Sequence, residues 1–153
     1  MMKRMMLVMA VLALSSAVQA ADGVPWLGLK AGYAKAKQEK KPLLVDYYFG
    51  KGCSRCEKLD EEEYAKPEII KKITDDFIPV RVDLTKKLTE EEEQLGEKYD
   101  YKKDCLLLFL DSEGNILKDT EGKHLMCATM IDPEQFIQYL DKVKKALASK
   151  AKQ

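Results

Sequence analysis

One stretch constrains this chain more than any other: Leu43-Leu44-Val45-Asp46-Tyr47-Tyr48-Phe49-Gly50-Lys51-Gly52-Cys53-Ser54-Arg55-Cys56-Glu57. Residues 43–49, apolar and aromatic apart from one aspartate, predict a buried strand. Gly50 and Gly52 allow a tight turn out of it, because glycine reaches backbone conformations that other residues avoid. From Cys56 the polar–apolar mix predicts a helix, so the Cys-x-x-Cys falls at a helix start. Unpaired backbone N–H groups and the helix dipole favour an anion there. A thiolate at Cys53 gains from both, and Arg55 adds a positive charge nearby. Cysteines so placed have pKa values below that of a free thiol. Cys56 lies one helical turn further on and can close a small disulfide. The residues therefore offer a nucleophile, Cys53, and a resolving thiol, Cys56. A structural disulfide and half of a zinc site use the same residues, and both stay open at this point. The position after a strand and before a helix favours redox chemistry.

The chain has 153 residues, a length that suggests one domain after an N-terminal export signal. Lys3 and Arg4 precede a wholly apolar run over residues 5–14, and Val18-Gln19-Ala20 puts small residues where a signal peptidase reads. Residues 1–20 are expected to be a cleaved signal peptide and residues 21–153 the mature domain. The apolar run is short for a bilayer span. No cysteine follows the cleavage site, so lipid anchoring is not indicated. Cleavage removes Lys3 and Arg4 and leaves 24 basic against 26 acidic residues, a net charge near −2. Interspersed charges and no basic face argue against nucleic acid as a partner. No glycine-rich phosphate fingerprint follows a strand, and the lone His124 has no evident catalytic triad. Export places the four cysteines, Cys53, Cys56, Cys105 and Cys127, where disulfides persist.

Along the chain, Leu29, Tyr33 and Ala36 share a helical face that Pro42 ends. Pro67 breaks or kinks the helix that follows the Cys-x-x-Cys, and residues 68–76 continue as helix with Ile69, Ile70 and Ile73 inward. Residues 77–84 predict a second strand, and Pro79 points to the sheet edge or the strand's first part. Thr89-Glu90-Glu91-Glu92 fits a capping box for a third helix ending near Tyr99. Residues 105–110 predict a third strand. A turn at residues 111–114 leads to a return strand at 115–119, which resumes at 125–129. Asp132-Pro133 caps a last helix with Phe136, Ile137, Leu140, Val143 and Leu147 on its apolar face. Two β-helix-β steps and a hairpin imply an α/β fold with a mixed sheet and helices on both faces.

This order, with Cys53-Ser54-Arg55-Cys56 after the first core strand, resembles the thioredoxin-like superfamily. Its three-layer α/β/α sandwich has a mixed central sheet. The resemblance also rests on Trp26, on residues 34–46, on Phe77-Ile78-Pro79-Val80-Arg81-Val82-Asp83 and on Leu106-Leu107-Leu108-Phe109-Leu110-Asp111. It is similar in particular to exported members, including the C-terminal domain of the thiol:disulfide interchange protein DsbD. It implies that Cys53 attacks, that Cys56 resolves, and that Asp46 helps move the proton of the resolving thiol, with Arg81 as its basic companion. Independently, a carboxylate in an apolar strand needs a partner, so a satisfied structural hydrogen bond explains Asp46 equally well. Three departures stand out. Gly52 replaces the usual aromatic residue before the first cysteine and leaves the rim open. Asp104 stands at the family's cis-proline, where a cis bond without proline costs about 2.5–4 kcal/mol, so a trans or rearranged peptide is expected. Cys105 falls beside the active-site loop, and Cys105–Cys127 is a candidate second disulfide, as a structural staple or a redox relay.

The leading expectation is an exported thiol:disulfide oxidoreductase, periplasmic or secreted, that uses no cofactor. It acts on exported protein thiols and disulfides, and the resemblance leans towards reduction fed by an upstream membrane electron donor. Two alternatives compete. Cys53 and Cys56 with Cys105, or with the His124-x-x-Cys127 pair, supply ligand types for structural zinc. A non-catalytic interaction domain with both cysteine pairs locked is the other, and the charged residues 86–93 are its candidate contact surface.

Overall fold

The computed structural model describes residues 23–102, 106–126 and 132–150. Helix α1, Leu29–Glu39, leads into strand β1, Leu43–Tyr48. Helix α2, Ser54–Lys58, continues directly into a π-helical turn, Leu59–Glu63. Helix α3 is Pro67–Asp76, strand β2 is Ile78–Asp83 and helix α4 is Glu90–Lys98. Strand β3, Leu107–Leu110, and helix α5, Pro133–Lys150, complete the order. Pro67 starts α3 rather than kinking a longer helix: it sits in the first turn, where its missing N–H has no helical partner to lose.

The sheet order is β2-β1-β3. Strand β1 pairs parallel with β2 from Leu43↔Ile78 to Tyr48↔Asp83, and antiparallel with β3 from Leu43↔Leu110 to Asp46↔Leu107. The mixed sheet is thus as expected, and Pro79 does lie on its edge strand. Along β2, Ile78 N–H donates to Pro42, on the β1 side, whereas Arg81 N–H and the Pro79 carbonyl bond outward to Leu27. Pro79 therefore has its nitrogen on the outer side, and the β1–β2 ladder loses no donor.

Side-chain alternation divides the core. Leu43, Val45 and Tyr47 of β1 pack with Ile78, Val80 and Val82 of β2 against Leu29 and Ala36 of α1. Gly32, not Tyr33, completes the buried stripe of α1 with Leu29 and Ala36. Helix α4 closes the same face: Tyr47 Oη donates to the Glu92 carbonyl at 2.8 Å. On the opposite face, Leu44, Leu107 and Phe109 pack against Ile69 and Ile73 of α3 and Phe136, Leu140 and Val143 of α5. Asp46 and Arg81, paired in register, belong to this second face.

The capping signals act as expected. Thr89 and Glu92 form a reciprocal capping box, and Asp132 Oδ1 accepts the Gln135 N–H at 2.9 Å. The return strand is a correction. Among the described residues it consists of isolated bridges, Leu110↔Ile116, Lys118↔His124 and Leu108↔Met126. The reason is a second turn of the same Asp-x-Glu-Gly form as the first. Asp111 accepts the N–H groups of Glu113 and Asn115, and Asp119 those of Glu121 and Lys123. Two turns eight residues apart leave no room for a ladder.

Candidate active site

Strand β1 delivers the chain to a loop whose two glycines, Gly50 and Gly52, take φ of +87° and +91°. These left-handed conformations favour glycine and turn the chain into α2. A Cβ at Gly50 would lie 2.5 Å from Thr85 Cγ2, so this position also needs close approach. A Cβ at Gly52 would meet no heavy atom within 4 Å beyond its chain neighbours. Gly52 N–H instead donates to Glu57 Oε1 at 2.8 Å and ties the loop to α2.

Cys53 and Cys56 form a disulfide with a Cα–Cα separation of 5.3 Å. Cys53 is the N-cap of α2, and its Sγ accepts the Cys56 N–H at 3.2 Å. Cys53 is partly exposed, whereas Cys56 is buried, 4% exposed. Cys53 is thus the more accessible residue of the pair, and Cys56 is shielded. Arg55 is the second residue of α2.

Asp46 and Arg81 are brought together, and the partner set is larger than the sequence indicated. Arg81 Nε and Nη2 reach Asp46 Oδ2 at 2.9 and 2.8 Å. Arg81 Nη2 also donates to Asp60 Oδ1 at 2.6 Å. The guanidinium carbon lies 4.3 Å from the ring centre of Trp26, 4.8 Å from Tyr48 and 5.6 Å from Tyr64. A weakly hydrated guanidinium suits such an aromatic surround. Burial pushes the Asp46 carboxyl up to about 6; Arg81 opposes the rise and Asp60 adds to it. Burial works against the charge of Arg81, but Asp46 and then Asp60 hold its proton more firmly than usual. Tyr64, fully enclosed and beside Asp46, has its phenol raised well above the ordinary range, first by burial. Glu63 in the π-helical turn is buried with no hydrogen-bond partner at either oxygen among the described residues, and burial raises its carboxyl.

Asp60, Tyr48, Glu63 and Tyr64 were not legible as site residues. One signal was available for Asp60: it stands four residues after Cys56, the spacing of one helical face. Asp104, Cys105 and Cys127 lie outside the described residues, as does the candidate Cys105–Cys127 disulfide. Among the described residues, no group of three or more His, Cys, Asp or Glu side chains is arranged to hold a metal ion. His124 is exposed, with its ring 5.9 Å from that of Tyr99.

A disulfide at a helix N-terminus, placed directly after the central strand of a mixed α/β/α sheet, defines a thioredoxin-fold dithiol–disulfide protein. The chain belongs to the thioredoxin-like family, whose model matches residues 25–112. Solved structures agree on the fold. A DsbH oxidoreductase superposes with a TM-score of 0.60 at 21% identity, over 82% of this chain and 88% of the other. A thioredoxin from Thermus thermophilus gives 0.56 at 15%, covering 78% and 86%. The oxidised DsbD C-terminal domain of Neisseria meningitidis gives 0.53 at 19%, covering 74% and 90%. A comparison with curated protein sequences finds no match.

Proposed function

We propose that this chain is an exported thiol:disulfide oxidoreductase that reduces disulfides of exported proteins. The observation that carries the reading is the asymmetric disulfide: Cys53 partly exposed at the N-cap of α2, Cys56 buried behind it. In the reduced form, the Cys53 thiolate attacks one sulfur of a partner disulfide. A Cys53–partner bond forms and the other partner sulfur leaves as a thiolate, which takes up a proton. Cys56 then passes its proton to Asp46 and attacks Cys53 Sγ, expelling the second partner sulfur. Two electrons have moved: the partner is a dithiol and this chain holds the Cys53–Cys56 disulfide. An upstream dithiol regenerates the reduced form.

The relatives support the chemistry by name, as a DsbH oxidoreductase and a DsbD domain. The apolar run after Lys3 and Arg4 supports export to the periplasm with cleavage after Ala20. Among the described residues no helix is long and apolar enough to cross a membrane.

The test is trapping. Cys56→Ser, offered a disulfide-bearing protein, is expected to accumulate a mixed disulfide at Cys53 that dithiothreitol releases. Cys53→Ser with Cys56→Ser is expected to give none. In buffers of graded thiol–disulfide potential, Cys53–Cys56 is expected to open and close reversibly. A pair that opens only in strong reductant overturns the enzyme reading in favour of a locked interaction domain.

A further inference from the structure

Strands β1 and β2 run parallel and end level, with Tyr48 opposite Asp83. Both strands therefore release the chain at the same edge of the sheet, and loop 84–89 after β2 lies beside the cysteine loop. Leu84 N–H donates to the Tyr48 carbonyl at 2.9 Å. A Cβ at Gly50 would stand 2.5 Å from Thr85 Cγ2, so the two loops are in contact. Their charges are one-sided. Residues 49–58 and 84–89 carry five basic side chains, Lys51, Arg55, Lys58, Lys86 and Lys87, against one acidic, Glu57, in a chain with 26 of each sign. Glu57 is engaged by the Gly52 N–H. Asp83, at the end of β2, accepts from Thr85 and pairs with Lys86. Of the glutamates that open α4, Glu92 folds back onto Thr89, Glu90 accepts from Gln94 and Glu91 lies near Tyr33 of α1. Lys51 and Lys87 are exposed and make no ion pair among the described residues, and the Lys86 side chain is 78% exposed. Exposed lysines contribute little to stability. At the rim of a site they act on which partners arrive and how fast.

We propose that Lys51, Lys86 and Lys87 form a basic docking rim beside Cys53, and that the partner is a protein whose disulfide is flanked by aspartate or glutamate. The inference rests on the exchange reading of Cys53 and Cys56 and adds the substrate class to it. The rim takes no part in bond making. It raises the encounter rate of an acidic partner and lowers that of a basic one, and a neutral partner does not feel it. Salt screens the effect because the three lysines are exposed.

The reduced chain is mixed with three synthetic peptides that carry the same disulfide, flanked by aspartates, by lysines or by serines, and the second-order rate of peptide reduction is followed by alkylation and mass. At low salt the aspartate peptide is expected to react about tenfold faster than the lysine peptide, the lower end of what steering supplies. At about 1 M salt, where charges are screened beyond about 3 Å, the two rates are expected to converge. Lys51→Glu with Lys86→Glu and Lys87→Glu is expected to invert the preference, and the three Lys→Gln changes together to abolish it. Both variants are expected to reduce the serine peptide at the parent rate, which shows an intact fold and intact sulfur chemistry. Equal rates for the two charged peptides with the parent chain overturn the inference and leave the exchange reading standing. A preference that survives charge reversal overturns the assignment to these lysines. No reduction of any peptide, the serine peptide included, removes the exchange reading, and the inference falls with it.

Discussion

Asp46→Asn tests the electrostatics of the site through stability alone, with no partner protein. The folded chain raises the Asp46 carboxyl from its ordinary 3.8 to about 6, chiefly by burial. A carboxyl raised on folding binds its proton more tightly in the native state. Between the two values the native state holds more protons than the unfolded chain, so stability falls as pH rises through that window. Below about 3.8 the group is protonated in both states and the penalty is absent. The gap corresponds to about 3 kcal/mol, fully present above about pH 7. Asparagine matches the shape, still accepts from Arg81 and cannot ionise. The variant should therefore gain about 3 kcal/mol over the parent between about pH 4 and pH 7, beyond any constant offset. With a urea dependence of about 1–3 kcal/mol per molar, the unfolding midpoint moves by about 1–3 M. The assay is urea unfolding of the disulfide form of both chains across that range, compared pH by pH so that other titrations cancel. A difference that is flat with pH, or that shrinks as pH rises, would refute the assignment of a buried, proton-retaining carboxyl.

Two further perturbations probe the same framework. Gly32→Ala is expected to destabilise the protein although alanine favours helix by about 1 kcal/mol. Its Cβ would lie 2.2 Å from Val80 Cγ2, a fully buried side chain, so overpacking of about 1–3 kcal/mol should dominate, and thermal unfolding of Gly32→Ala with and without Val80→Ala should show the second change relieving the first. Glu63→Gln is expected to stabilise the fold increasingly as pH rises. The Glu63 carboxyl is raised by burial, so its penalty appears above its ordinary 4.5; pH-resolved unfolding in which the variant gains nothing at neutral pH would contradict this.

Much of this protein follows from local chemistry. The strand into the Cys-x-x-Cys is readable because residues 43–49 are apolar enough to be buried on both faces, and the two glycines announce the turn. Caps at Thr89 and Asp132 are readable because each rests on side-chain bonds to backbone N–H groups only a few residues away. Pro79 marked an edge strand because the absence of a donor is a property of the residue itself. The return after β3 pairs only through single bridges because a second Asp-x-Glu-Gly turn follows the apolar pair Ile116 and Leu117.

Tertiary structure alone decided the company that Asp46 keeps. Sequence could say that a carboxylate in an apolar strand needs a partner, and resemblance could suggest Arg81. Parallel pairing of β1 with β2 put the two side chains on one face of the sheet. Continuation of α2 through the π-helical turn added Asp60 and Tyr64, and the Leu27 bridge to β2 fixed Trp26 beside them. These residues lie up to about 55 positions apart in the chain. Each has an unremarkable local pattern, and their coupling exists only because burial lowers the dielectric around groups that folding has brought within hydrogen-bond reach.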